Sequence, residues 1–171
     1  GNLRFQREEY AEALAEYDRA SHAFGRLRVR DETVIGLEVN RAVALTQLDR
    51  DADALQIFHR LERECTRREF DLLRAQIQMN GAYVHFLRAD FDAALRCLGP
   101  AADYFRRTEH PAFLASCLLN RAEVYQELNL HRETGELARE AVSLFAAEGL
   151  RDDQALALSQ EALARLALGT P

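Results

Sequence analysis

The sequence has no lysine and no tryptophan, one methionine, and only three prolines in 171 residues. No apolar run approaches the roughly 20 residues needed to span a bilayer, which excludes a transmembrane helix. No charged-then-apolar leader opens the sequence, so neither signal nor anchor is read from it and a cytoplasmic location is expected. The eight glycines are dispersed, which leaves no Gly-rich loop to cradle a phosphate. Cysteine is scarce as well: Cys65, Cys97 and Cys117 are odd in number and unrelated in spacing, with no CxxC pair and no histidine at ligand spacing. They read as free thiols packed between helices, and neither a metal nor a cofactor is expected. The formal net charge is −6 and no basic stripe gathers on one side, so nucleic acid is not the expected partner. Arginine supplies every basic residue. Arg26, Arg28 and Arg30, and again Arg106 and Arg107, fall near helix C-termini, where they complement the macrodipole. The arginine- and alanine-rich composition suggests a GC-rich bacterial genome.

What the sequence does have is a period. Asn40-Arg41-Ala42, Asn80-Gly81-Ala82, Asn120-Arg121-Ala122 and Gln160-Glu161-Ala162 recur at a step of 40 residues. A fixed period in this range marks stacked supersecondary units, each too small to bury its own apolar face. A second column runs in the same register: Tyr10, Ala13, Tyr17, Ala20; Asp51, Ala54, Phe58, Leu61; Phe91, Ala94, Leu98, Ala101; and His131, Thr134, Ala138, Ala141. Its offsets of three, four and three residues trace one face of an α-helix. Each unit is therefore a helical hairpin. Antiparallel helices approach to about 8–10 Å only where a side chain at the crossing is short. Ala42 against Ala54, and Ala82 against Ala94, are expected to supply that crossing, with Tyr10, Tyr17, Phe58 and Phe91 filling the wedges between hairpins.

These two columns resemble the tetratricopeptide repeat (TPR), which carries small residues on its first helix and alternates aromatic with alanine on its second. The resemblance covers nearly the whole chain. It implies an all-α fold, a right-handed superhelical stack of antiparallel helical hairpins. The step of 40 rather than 34, the absence of tryptophan and the mostly missing closing proline depart from the family pattern, and longer helices explain the step. The units fall at about 1–30, 31–66, 67–107 and 110–148, followed by a terminal helix 151–168, all within one elongated domain. Because the sequence starts inside a hairpin without an initiator methionine and its last helix lacks a successor, both ends are expected to be cuts within a longer polypeptide.

Local chemistry places nine helices at 1–7, 9–29, 32–48, 50–65, 67–88, 90–107, 111–128, 130–148 and 151–168, and no strand. Thr66-Arg67-Arg68-Glu69 reads as a capping box opening the fifth of these. Asp31, Asp49 and Asn129 read as N-caps, Pro111 suits a first helical turn, and Gly149-Leu150 is a helix stop. Pro100, after Gly99, is expected to kink or break its helix, because it crowds the carbonyl of Arg96 and removes a donor.

No residue set points to catalysis. Glu8-Glu9 and Asp152-Asp153 sit at helix starts, where acids offset the positive dipole end. His85 falls in the register of Leu45 and Tyr125 and reads as a satisfied core or groove side chain. The amide column is what carries function. Asn40, Asn80, Asn120 and Gln160 precede the alanine column by two residues, about 200° around the helix, so they face away from it. In TPR proteins the first helices line the concave surface, and the resemblance places these amides in that groove. A carboxamide offers two donors and an acceptor, which suits the main chain of a peptide. With rungs about 10 Å apart and an extended ligand rising about 3.3 Å per residue, one amide meets every third ligand residue. Tyr83 and Phe86, with Met79, add an apolar anchor beside Asn80, whereas Glu123, Gln126 and Glu127 make the next rung acidic. A complementary partner carries an apolar residue near its middle and a basic one toward an end.

A narrower resemblance lies within the last third and spans under a quarter of the chain: Ala122 to Leu130, Arg139 to Phe145 and Gly149 to Asp152 look like the repeat region of bacterial proteins bearing a CHAT domain, a caspase-like protease module. That resemblance implies a sensor or docking array governing an effector elsewhere in the polypeptide. Nothing matches the module's Cys–His pair. The expected function is a non-catalytic protein- or peptide-binding scaffold. The alternatives are a structural spacer packing against other domains of the same polypeptide and the signal-sensing region of a bacterial regulator.

Overall fold

The computed structural model describes residues 2–27 and 31–169, with side chains described at 9–26 and 31–169. They form α1 (Asn2–Leu27), α2 (Glu32–Gln47), α3 (Asp51–Arg68), α4 (Asp71–Leu87), α5 (Phe91–Arg107), α6 (Pro111–Glu127), α7 (His131–Ala147) and α8 (Arg151–Ala167), with no strand among the described residues. The expected helices at 1–7 and 9–29 are a single helix, α1, as far as they are described; residues 1, 28 and 29 lie outside the described ones. Nothing between Asn2 and Phe24 is a proline or glycine, and the acids at Glu8 and Glu9 are good interior helix formers, so there is no reason for a break.

Helix ends follow one device. Asp49, Glu69, Ala89, Glu109, Asn129, Gly149 and Gly169 all adopt the left-handed conformation, with φ from 55° to 72°, and they recur every 20 residues. After each of the first six, the next amide donates back to a carbonyl in the last helical turn: Arg50 to Leu45, Phe70 to Cys65, Asp90 to His85, His110 to Phe105, Leu130 to Tyr125 and Leu150 to Phe145, at 2.8–3.0 Å. This is the six-to-one bond of a Schellman stop. Helices α4 to α8 are each 17 residues long, so with three-residue turns the backbone repeats every 20 and the hairpin every 40.

The device corrects three expected caps. Asp49 and Asn129 terminate the preceding helix instead of opening the next, because Asp and Asn tolerate the left-handed region. Thr66 lies inside α3, its hydroxyl bonded to the Glu62 carbonyl at 2.9 Å, and Glu69 is the left-handed stop, so the capping box does not form. Asp31 does cap α2, accepting from the Val34 amide at 3.1 Å; Asp90 likewise accepts from Ala93 at 3.2 Å, Pro111 opens α6, and Gly149 ends α7. Pro100 does not break α5, which runs on to Arg107. It sits with Arg96 on the exposed side, where water can replace the missing donor.

The chain forms two units, residues 1–84 and 85–171. In the first, α1 packs on α2 and α2 on α3. Leu14, Ile35, Ala42, Leu45, Ala54 and Phe58 form its core together with Leu61, Cys65, Ile77 and Val84. Here α4 closes on α3 at Gly81, where an added Cβ would lie 3.7 Å from that of Phe58. In the second, α5 packs on α6, α6 on α7 and α7 on α8, and α6 also reaches α8. Phe105 and Phe145 are its largest fully buried side chains, and Phe105 stacks on Phe113 with ring centroids 5.1 Å apart. Ala42, Ala54, Ala82, Ala94, Ala122, Ala138 and Ala141 are all buried. Ala162 departs from its column and is exposed.

Left-handed φ costs a side-chain-bearing residue roughly 1 kcal/mol relative to glycine. Ala89→Gly and Glu109→Gly should each raise unfolding stability by up to about 1 kcal/mol in urea titrations, and Gly149→Ala should lower it by a similar amount. The reverse ordering would contradict the assigned turn geometry.

Candidate peptide-binding surface

The repeated triplets sit on α2, α4, α6 and α8, and a helix sends their three members in different directions. The third member is an alanine, which is buried at Ala42, Ala82 and Ala122 and exposed at Ala162. In three of the four triplets the middle member meets the preceding helix. Arg41 Nε donates to Asp18 of α1 at 2.6 Å, Gly81 lies against Phe58 of α3, and Glu161 accepts from Arg139 of α7 at 3.0 Å. The first member, the amide, is left to the remaining side. Asn40 is exposed and Asn80 and Asn120 are half-buried. None of these three carboxamides has a hydrogen bond among the described residues. Gln160 is half-buried and its Oε1 is shielded from solvent without a hydrogen-bond partner.

On α4, Tyr83 is 40% exposed, and Met79 and Phe86 are half-buried. Tyr83 lies one turn beyond Asn80 and can offer its ring to a ligand. Phe86 is already engaged, its ring 6.1 Å from that of Phe91 across the turn. On α6, Asn120, Glu123 and Glu127 follow at i, i+3 and i+7 and share one face. Glu127 is exposed and Glu123 half-buried, with burial pushing the Glu123 carboxyl above its ordinary value. Gln126 turns toward α7, its Oε1 lying 3.4 Å from His131 Nδ1. Arg121 lies over the Tyr125 ring at 5.9 Å, adding a planar cation to the same helix.

Two buried carboxylates escape a reading of columns. Glu38 on α2 is buried and pairs through Oε2 with Arg60 of α3; Arg41 lies 3.5 Å away, continuing to Asp18. Three helices of the first unit are thus tied by one chain of charges. Its other oxygen, Oε1, is buried without a partner. Glu161 is the counterpart in the second unit, gripped by Arg139 from α7 and by Arg165 at 2.7 Å from its own helix. For Glu161 the signal available in sequence was the middle position of the triplet, which reads Arg41, Gly81, Arg121 and Glu161, whereas Glu38 lies outside the triplet. His85 is largely buried, with Nδ1 3.5 Å from Asp90. Cys65 and Cys117 are buried thiols and Cys97 is a half-buried one, none of them in a disulfide among the described residues. Burial raises both buried thiols, Cys117 to about 12.

The arrangement of helices has counterparts among solved structures. It is similar to the crystal structure of BtubC (BKLC) from P. vanneervenii, with a TM-score of 0.82 and 18% identity over 98% of this chain and 70% of that one. It is also similar to a chain described as a kinesin light chain of Podosopora anserina, built of nearly identical TPR-like repeats. The TM-score there is 0.74 at 16% identity, covering 98% of this chain and 83% of that one. A point variant of that chain matches at 0.74 and 17% with the same coverage. No protein-family model and no curated protein matches the sequence. The fold is therefore that of the TPR-like α-solenoids, as the columns implied. More particularly, it is the fold that BtubC and the kinesin-light-chain-like repeats share, at identities that define architecture alone.

Two outcomes follow from the shifted groups. A raised carboxyl contributes stability below its unfolded value, near 4.5, that is lost as pH rises through its folded value. Glu123→Gln should therefore raise the melting temperature at pH 7 and leave it unchanged near pH 4; equal melting at both would contradict the burial cost. Likewise, Cys65 and Cys117 should resist thiol-reactive reagents at pH 8 in the native state and react after unfolding, as mass spectrometry of the labelled protein can count.

Proposed function

We propose that the chain is a non-catalytic scaffold that binds protein or peptide segments through the amide-bearing side of its first helices. Half-buried carboxamides that form no internal hydrogen bond, Asn80 and Asn120, carry this reading. Desolvated polar groups are ordinarily satisfied, and these have partly lost water without gaining a protein partner. A ligand main chain supplies both a donor and an acceptor for each. Beside Asn80, Tyr83 provides an apolar contact. Beside Asn120, Glu123 and Glu127 provide negative charge, and a ligand cation at Glu123 would relieve the cost of burying that carboxylate. The α6 rung thus favours a segment with a basic residue, and the α4 rung an apolar one.

TPR-like arrays generally serve protein interaction, which supports the same conclusion. The finer reading is a sensor or docking region in the bacterial cytoplasm for an effector domain outside residues 1–171, of the kind that the CHAT-associated repeats accompany. Peptides selected from a random displayed library should bind the wild-type chain with affinity at least tenfold stronger than the Asn80→Ala, Asn120→Ala pair, about 1.4 kcal/mol for two lost hydrogen bonds. The pair should keep its melting temperature. Unaltered peptide affinity in that folded variant would contradict the assignment.

A further inference from the structure

The amide-bearing side of α2 extends beyond Asn40 in both directions. Thr33, Gly36, Asn40, Val43 and Gln47 follow at offsets of three, four, three and four, which places them on one side of the helix. Gly36 is half-buried and the others are exposed. None of them is charged, although 29% of the sequence is. A charged ligand side chain therefore finds no counter-ion on this stripe, in contrast to α6, where the register of Val43 holds Glu123.

Gly36 is the unusual member. A glycine inside a helix is less favourable than alanine, so its presence asks for a reason. The backbone supplies none, because Gly36 is not among the residues with positive φ. Packing supplies none either, because an added Cβ would meet no atom within 4 Å. Gly81 and Gly135 differ: there an added Cβ would lie 3.7 Å from Phe58 and 3.5 Å from Ala164, so each sits in a helix contact. Gly25 and Gly99 are open like Gly36, but they belong to α1 and α5, which carry no member of the amide column. Nor does stacking close this register. Ser116 occupies it on α6 and is still only half-buried, although α5, α7 and α8 all pack on α6. Gln76 and Leu156 occupy it on α4 and α8, so α2 alone leaves bare backbone there.

We propose that Gly36 is a specificity-determining residue of the amide-bearing surface, making room on α2 for an uncharged aromatic side chain of the bound segment. The inference rests on the peptide-binding reading and adds the identity of one ligand residue to it. A flat ring laid over Gly36 covers peptide groups that a helix otherwise shields with a side chain, and an aromatic residue buries about 150–250 Å². Val43 extends the apolar contact. Thr33 and Asn40, one turn to either side, flank the ring with hydrogen-bonding groups. Any side chain at position 36 would stand where the ring lies.

Two displayed libraries of random peptides, one containing and one lacking Phe, Tyr and Trp, test this on the folded chain. The wild type should yield binders from the first that are about tenfold tighter than those from the second. Gly36→Leu, which fills the space, should abolish that advantage. Gly36→Ala should reduce it and yet melt at a higher temperature than the wild type, because alanine is the better helix former. Equal affinities from the two libraries in the wild type would overturn the proposal, as would an advantage that Gly36→Leu leaves undiminished. If Asn80→Ala with Asn120→Ala still weakens binding in that case, the peptide-binding surface stands and only the role of Gly36 falls. No binders from either library would overturn both.

Discussion

The close approach of neighbouring helices at alanine is the constraint on which the rest of the structure depends. The described helices run from 16 to 26 residues, and each draws most of its stability from packing an apolar face on its neighbours. What makes stacking worthwhile is that Ala42, Ala54, Ala94, Ala122 and Ala141 remove the side-chain bulk from the crossings, so that larger residues such as Phe58, Phe105 and Phe145 can interleave around them. The left-handed residue closing each helix serves the same end. It fixes the reversal at a 20-residue step, so that within each unit successive helices turn back on one another.

The polar residues are arranged around that apolar register. Glu38 and Glu161 are carboxylates at helix-packing positions, and each is held by one arginine from a neighbouring helix and one from its own. Such pairs add little net stability, because desolvation offsets most of the attraction, but a displaced helix would strand a buried charge. They therefore favour one register over others. Glu123 is different in kind. No arginine among the described residues clamps it, and burial raises its carboxyl. Unpaired desolvation on a surface shared with Asn120 is an arrangement that a ligand, rather than the fold, would complete.

Columns with a 40-residue step were enough to reveal hairpins, their small-residue crossings and the all-helical class, because those features are set by side-chain size at fixed offsets. Helix ends were harder to read. Asp49 and Asn129 carry the chemistry of an N-cap and equally that of a left-handed stop, and only the bonds from Arg50 and Leu130 back into the preceding helix decide between them. The merging of two expected helices into α1 has the same origin, since Glu8-Glu9 suits a helix start and a helix interior alike. On the amide-bearing side, the column pointed to α2, α4, α6 and α8, the helices that carry the four amides. It could not show that Phe86 is engaged by Phe91 or that Gln126 turns to His131, because each depends on where a turn brings two rotamers together, nor that Arg121 covers Tyr125, which depends on the rotamers chosen within α6.

One pair of substitutions in a single column tests the packing claim most directly. Ala122 is fully buried and Ala162, 40 residues on, is exposed. Urea unfolding of Ala122→Leu should show a loss of about 1–3 kcal/mol from overpacking. The same change at Ala162 should cost no more than about 0.5 kcal/mol. Equal losses at the two sites, or none at Ala122, would contradict the view that small residues at the crossings hold the stack together.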